Sequence, residues 1–384
     1  MEVVGNLELR SRQIDAIVSA VRTDIAQQKY DGMALCVAHE GSIVLESYEG
    51  FASRDAGQPL AADSIFSVMS FTKPMTALAI FQAIERGDIS LTTRVCEVIP
   101  EFAANGKQRV TIAQLLSHTG GMPFVLPGLK PEDEGDLNAT VAAACKIAPV
   151  NPPGSIVSYS AQVSYDVLGG VVQKLDRAGR SYKQIIEQDI FAPLEMWDST
   201  IGAPAGVGSR RVPVRARNET EMNVRLAARD ARLGSKAELP GGGAFATLRD
   251  IHTFAMMLRN GGRLNGVDIV SPAMLDLATH NQTGDRPNNT LAAQRELRGW
   301  EPFPAFLGLG FFLRGTGLFP TPFGQLASPS TFGAIGAGST VMWIDPQRDL
   351  SAVMLSSGLM DQVDSHLRFQ RLSDMIHASL AQRT

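Results

Sequence analysis

The chain has 384 residues, 44% of them apolar, and a formal net charge of -4 with both signs interspersed. That balance offers no basic footprint for nucleic acid or an anionic membrane surface, and no stretch approaches the length of a membrane span. Cys36, Cys96 and Cys145 stand far apart and the six histidines form no pair at ligand spacing, so neither a disulfide framework nor a metal site is expected.

Met1 to Asn6 lacks the basic start and continuous apolar run of a secretory signal, which predicts a cytoplasmic protein. From Leu9 to about Gln28, apolar residues recur at Ile14, Ile17, Val18, Val21 and Ile25, the stripe of an amphipathic helix. Met33 to His39 and Ser42 to Tyr48 are β-rich runs joined at Glu40-Gly41, a hairpin by pattern.

The stretch Phe66 to Pro74 places Ser70 three residues before Lys73 at the mouth of a long apolar helix that ends at Gly87. Residues three apart share a helical face, so Lys73 can lean over the Ser70 hydroxyl, and a base beside a hydroxyl is the minimum for nucleophilic catalysis. Pro74 falls in the first turn, where backbone N–H groups have no intrahelical acceptor to lose. Ser70 then sits at the positive end of the helix, where a developing oxyanion is stabilised.

Between Leu91 and about Ser235 the periodic segments read mostly as helices: one capped by Thr111, one from about Thr140 to Ile147, one with Val163, Val167, Leu168, Val171 and Leu175, and one after Ser181. A sheet signature returns later, with strands expected at Leu307 to Leu313, Thr340 to Ile344 and Leu350 to Ser356, around a helix from about Leu248 to Asn260. Phe369, Leu372, Ile376 and Leu380 close the chain with an amphipathic helix. The expected fold class is α+β: a sheet domain made by both chain ends, residues 1–90 and 236–384, with a mainly helical domain over 91–235 inserted. A pocket is expected between the two.

Two further stretches bear on chemistry. Ser158-Tyr159-Ser160-Ala161 follows a Pro-Pro-Gly turn and precedes a helix. Beside a cationic Lys73 the phenol, which titrates near about 10 when unperturbed, is expected to fall, making Tyr159 a general base; a tyrosine packed in the helical core is the bland alternative. Phe332 to Ser339, rich in Gly and Ala, leads into the strand at Thr340; its small residues let a backbone come close to a ligand, and a bare turn into a hairpin is the equally good alternative.

In this order, with Leu115-Leu116-Ser117-His118-Thr119-Gly120-Gly121 between the first two and Pro240 to Thr247 before the last, these pieces resemble the serine β-lactamase-like proteins of the class C and penicillin-binding type. Within that group the pattern is similar to the family VIII carboxylesterases. The resemblance covers about Asp31 to Ser357. It implies a central antiparallel sheet flanked by helices, and an acyl-enzyme on Ser70 with Lys73 and Tyr159 moving the proton. It also implies an oxyanion hole from the backbone N–H groups of Ser70 and Ala337, a structural role for His118, and no cofactor.

Two departures set the expected substrate. Where penicillin-binding relatives have Tyr-x-Asn, this chain has Tyr159-Ser160-Ala161; where they have Lys or His, then Thr or Gly, then Gly, it has Ala334-Ile335-Gly336. A site lacking the partners for a β-lactam or peptide loses its preference for them. Ala161, Ala334, Ile335 and Gly336 are therefore expected at the substrate, with Trp300, Phe303, Phe306, Phe311 and Phe319 either lining a pocket for it or packing in the core. The expected partner is a small, hydrophobic ester or other acyl donor, and the expected activity carboxylesterase. An acyltransferase or transesterase using the same acyl-enzyme is the alternative, ahead of a β-lactamase, a D-Ala-D-Ala peptidase or a catalytically silent binding protein.

Overall fold

The computed structural model describes residues 11–289, 292–337 and 339–380; the Met1 to Asn6 stretch and Leu9 lie outside them. In chain order come α1 (Ser11–Ala26), β1 (Gly32–His39), β2 (Ser42–Ser53), β3 (Gln58–Pro59), β4 (Phe66–Ser67) and α2 (Thr72–Glu85). Next are α3 (Val95–Val98), α4 (Ile112–Leu116), α5 (Leu137–Lys146), α6 (Val163–Leu175), α7 (Tyr182–Ile186), β5 (Thr200–Ile201) and α8 (Glu221–Arg232). The chain continues with β6 (Ala244–Ala246), α9 (Leu248–Arg259), β7 (Arg263–Leu264), β8 (Val267–Asp268), α10 (Pro272–Ala278) and α11 (Ala292–Arg298). It closes with β9 (Phe312–Leu313), β10 (Phe332–Gly336), β11 (Thr340–Asp345), β12 (Leu350–Ser357) and α12 (Gln362–Ala378).

The central sheet is antiparallel, in the order β3-β2-β1-β12-β11-β10-β9, so strands from the two ends of the chain meet where β1 pairs β12. Alternation along the strands explains why both faces are covered. Met33, Leu35, Val37, Val341, Trp343 and Met354 face α1 and α12, packing on Ile17, Val21, Phe369, Leu372 and Ile376. Ala34, Cys36, Met342, Ile344, Val353 and Leu355 point the other way, into the core that contains Ile251, Phe254 and Leu258 of α9 and most of α2. A sheet buried on both sides reads as near-continuous apolar runs, as β12 does. Among the described residues no helix is long and apolar enough to cross a membrane.

The hairpin turn at Glu40-Gly41 has positive φ at both residues, the twist that a two-residue turn between antiparallel strands requires. Thr111 and Ser181 cap α4 and α7 through Gln114 and Gln184, each in a reciprocal capping box. Three expectations change. The predicted strand over Leu307 to Leu313 shrinks to Phe312–Leu313, and the helix expected from Thr140 starts at Leu137, capped by Asp136. Phe332 to Gly336 is a strand and not the bare turn of the alternative reading, because its small residues let it lie close against β11 and the turn holding Ser70.

Candidate active site

The main chain around Ser70 is held from three sides. β4 pairs with β6, the Val68 N–H donates to Ala244 O at 3.0 Å, and the Thr340 hydroxyl donates to Val68 O at 3.1 Å. Met69 then turns with φ +53°, and one 3-10 turn, Met69–Phe71, leads directly into α2. A non-glycine residue in the left-handed region costs about 1–2 kcal/mol and survives only where its surroundings dictate it. Here Thr72 does so, donating its hydroxyl to Met69 O at 2.7 Å and accepting from the Ala244 N–H at 2.9 Å. Ser70 is left partly exposed beside fully buried neighbours.

Lys73, one turn on, is 3% exposed, and its Nζ has three close oxygens: Ser70 Oγ at 3.0 Å, Ala161 O at 2.7 Å and Gly241 O at 2.6 Å. Burial pushes the ammonium down to about 7, while Asp166 pulls it up and Arg229 adds to the fall. A neutral amine has two N–H bonds. With two backbone carbonyls to take them, its lone pair is left for the serine hydroxyl. Gly241 must be glycine here, since a Cβ would meet Ala161 O at 2.9 Å and Gln162 Cα at 3.0 Å.

Tyr159 is hydrogen-bonded to the Ser70 hydroxyl and its ring lies 5.1 Å from Lys73 Nζ. The expected lowering of its pKa does not occur. Burial pushes the phenol up to about 12, against a smaller lowering from the hydrogen bond to Ser70. The cost of burying a phenolate outweighs what the Ser70 hydroxyl gives it. Lys73, not Tyr159, is the group whose proton comes off near neutral pH.

His118 accepts the Ser160 N–H on Nδ1 at 3.1 Å, its carbonyl accepts the Ser158 N–H at 3.0 Å, and its ring lies 4.3 Å from that of Tyr159. Burial, with Lys73 adding to it, holds this imidazole neutral, well below its usual range. The Ser160 hydroxyl donates to Pro123 O at 2.8 Å and accepts from the Ser164 N–H at 3.1 Å, fastening the loop to the start of α6.

On the opposite side, β10 runs past the serine. Ala334 and Ile335 line a small hollow with Ser70 and Lys73, and Ile335 and Ala337 line the open cleft with Ser70 and Ala161. Gly336 carries no substrate-facing side chain but sets the approach. A Cβ there would stand 2.1 Å from Thr340 Oγ1 and 2.5 Å from Val68 O. Gly336→Val is expected to cost roughly 1–3 kcal/mol through overpacking and to move β10 off Ser70. Thermal melting checks it, and an unchanged melting temperature would contradict the packing.

Several residues at the site gave no motif. Asp166, on α6 behind Lys73, accepts the Gly241 N–H at 3.3 Å, and burial pushes its carboxyl up to about 7. Arg225, Leu226 and Arg229 reach the cleft from α8, and Gln362 and His366 from α12. α8 gives no motif because its apolar residues, half of them alanine, are interrupted by charges, although Thr220 followed by Glu221 is a readable helix start. Of the aromatics weighed for the pocket, Phe311 lines the inner hollow, whereas Phe303, Phe306 and Phe319 stack on one another. The cleft takes Phe124 and Phe312 instead, both against the Tyr159 ring.

Set beside known proteins, residues 17–373 match the sequence model of the Beta-lactamase family. The Esterase/beta-lactamase LipL of Mycobacterium tuberculosis is 24% identical over 396 aligned residues, covering 95% of this chain and 86% of that one. Among solved structures, a penicillin-binding protein homolog from Caulobacter crescentus superposes with a TM-score of 0.79 at 25% identity, over 96% of this chain and 98% of the other. A family VIII carboxylesterase superposes with a TM-score of 0.75 at 24% identity, over 94% and 96%.

Proposed function

This chain belongs to the Beta-lactamase family, and on that premise we propose that it is a serine carboxylesterase working through an acyl-enzyme on Ser70. One observation carries the reading: Lys73 Nζ hydrogen-bonds Ala161 O and Gly241 O and has its remaining direction toward Ser70 Oγ. A buried amine titrating near 7 is poised as a general base at neutral pH.

In this mechanism Lys73 takes the Ser70 proton as Oγ attacks the ester carbonyl. The oxyanion is received by the backbone N–H groups of Ser70 and Ala337, at the positive end of α2. Collapse breaks the bond to the alcohol oxygen, which takes a proton from the Lys73 ammonium, with the neutral Tyr159 hydroxyl bridging to it. Water then enters, loses its proton through the same groups and releases the acid from Ser70. Neither a metal nor a cofactor has a part in these steps.

The case for esters over β-lactams rests on the cleft edges. Ala161 and Ile335 give the cleft beside Ser70 apolar edges, which offer no hydrogen bond to the amide of a β-lactam or peptide. The likeness to a family VIII carboxylesterase supports this reading, whereas LipL, named for both activities, fits either. The test is pre-steady-state release of p-nitrophenol from a short-chain ester, with intact-mass detection of the acyl group. A burst of about one equivalent and an adduct on the Ser70 peptide are expected. Absence of both, together with no labelling by a fluorophosphonate, would remove the assignment.

A further inference from the structure

Arg229 is a buried charge in the wall of the cleft that, among the described residues, makes no hydrogen bond or ion pair with a carboxylate, although Glu134, Asp166 and Asp230 are near enough to act on it. It is 8% exposed, yet its Nε has no hydrogen-bond partner among the described residues. Nη2 donates only to Met69 Sδ, at 3.3 Å, and a thioether is a weak acceptor. The acids around it are engaged elsewhere. Glu134 is held by Arg232 at 3.0 Å, Asp230 by Arg211 at 3.1 Å, and Asp166 accepts from the Gly241 N–H. Burying an unpaired guanidinium is among the costlier things a fold can do. A leucine or methionine would fill the space between Met69 and Leu226 without that cost.

The position explains what the charge is for. Arg229 lines the same cleft as Ser70, Ala161 and Ala337, and touches the residue directly before the nucleophile. Arg225, one turn earlier on α8, lines the cleft too. A guanidinium presents a planar fork that matches a carboxylate with two parallel hydrogen bonds. We infer that the ester this enzyme takes carries a carboxylate, and that Arg229 receives it while Ser70 attacks the ester carbonyl. The inference rests on the esterase reading and replaces the neutral, hydrophobic ester expected from the sequence with a half-ester or an ester of a carboxylate-bearing alcohol.

The test compares matched esters by kcat/KM. For a carboxylate on the acyl side, monophenyl adipate is set against phenyl hexanoate; for one on the alcohol side, 3-acetoxybenzoate is set against its methyl ester. The wild-type enzyme is expected to prefer the acid by at least about tenfold in one pair, since hydrogen bonds to charged groups are the strong ones, and the pair that responds identifies the side. Arg229→Met is expected to bring that ratio to about one or below, and Arg229→Lys, which keeps charge but loses the fork, to an intermediate value.

If Arg229 only positions Met69, Arg229→Met slows both members of a pair alike and leaves the ratio unchanged, which overturns the inference. A wild-type preference of less than about twofold in both pairs overturns it as well, and needs no variant that folds. Failure of the esterase reading looks different: wild-type protein turns over none of these esters and is not labelled at Ser70 by a fluorophosphonate, and both readings fall together.

Discussion

Ser70→Ala is expected to abolish the burst of p-nitrophenol and the acyl adduct, and to lower steady-state turnover by on the order of 10⁴-fold or more. The effect follows from position. Ser70 Oγ is 3.0 Å from Lys73 Nζ and bonded to Tyr159. The variant should fold, because Ser70 is partly exposed and its Oγ does not hold the turn; Thr72 and the β4–β6 pairing do. Turnover retained at more than a tenth of the wild-type rate would sink the nucleophile assignment.

Lys73→Met is expected to cost about 10²–10⁴-fold in kcat, the usual worth of a positioned general base, with a smaller effect on KM. Its signature is the pH profile. Because burial brings the Lys73 ammonium down to about 7, the base is present above that pH and protonated below it. Acylation by the wild-type enzyme should therefore rise with pH through about 7 and level off, and the variant should lose that limb. Asp166 gives a second handle. Its charge pulls Lys73 upward, so Asp166→Asn should move the limb to lower pH. A limb that stays in place in Lys73→Met would assign the titration to another group.

The two corrections at the site share a cause. Reading Tyr159 as the lowered acid counted the charge of Lys73 but not the burial of the pair, and burial acts on both in the direction that disfavours charge. The bare-turn alternative for Phe332 to Gly336 treats glycine and alanine as signs of irregular backbone. Those residues instead let a strand lie flush against β11 and Val68. Both errors concern what surrounds a segment, which local pattern does not carry.

Local pattern did determine the elements with strong periodicity. The stripe of α1, the apolar α2 with Pro74 in its first turn and the caps Thr111 and Ser181 all follow from short-range preferences that act within a few residues. The Ser70–Lys73 spacing belongs with them, since three residues on a helix fix their proximity whatever the fold. Tertiary structure alone decided the rest. It brought Ala161 O and Gly241 O to Lys73 from 88 and 168 residues away, set Asp166 behind the amine, and carried Arg229 on a charged helix to the wall of the cleft. Desolvation and backbone acceptors set the chemistry of Ser70 and Lys73, and both arise only when distant segments pack together.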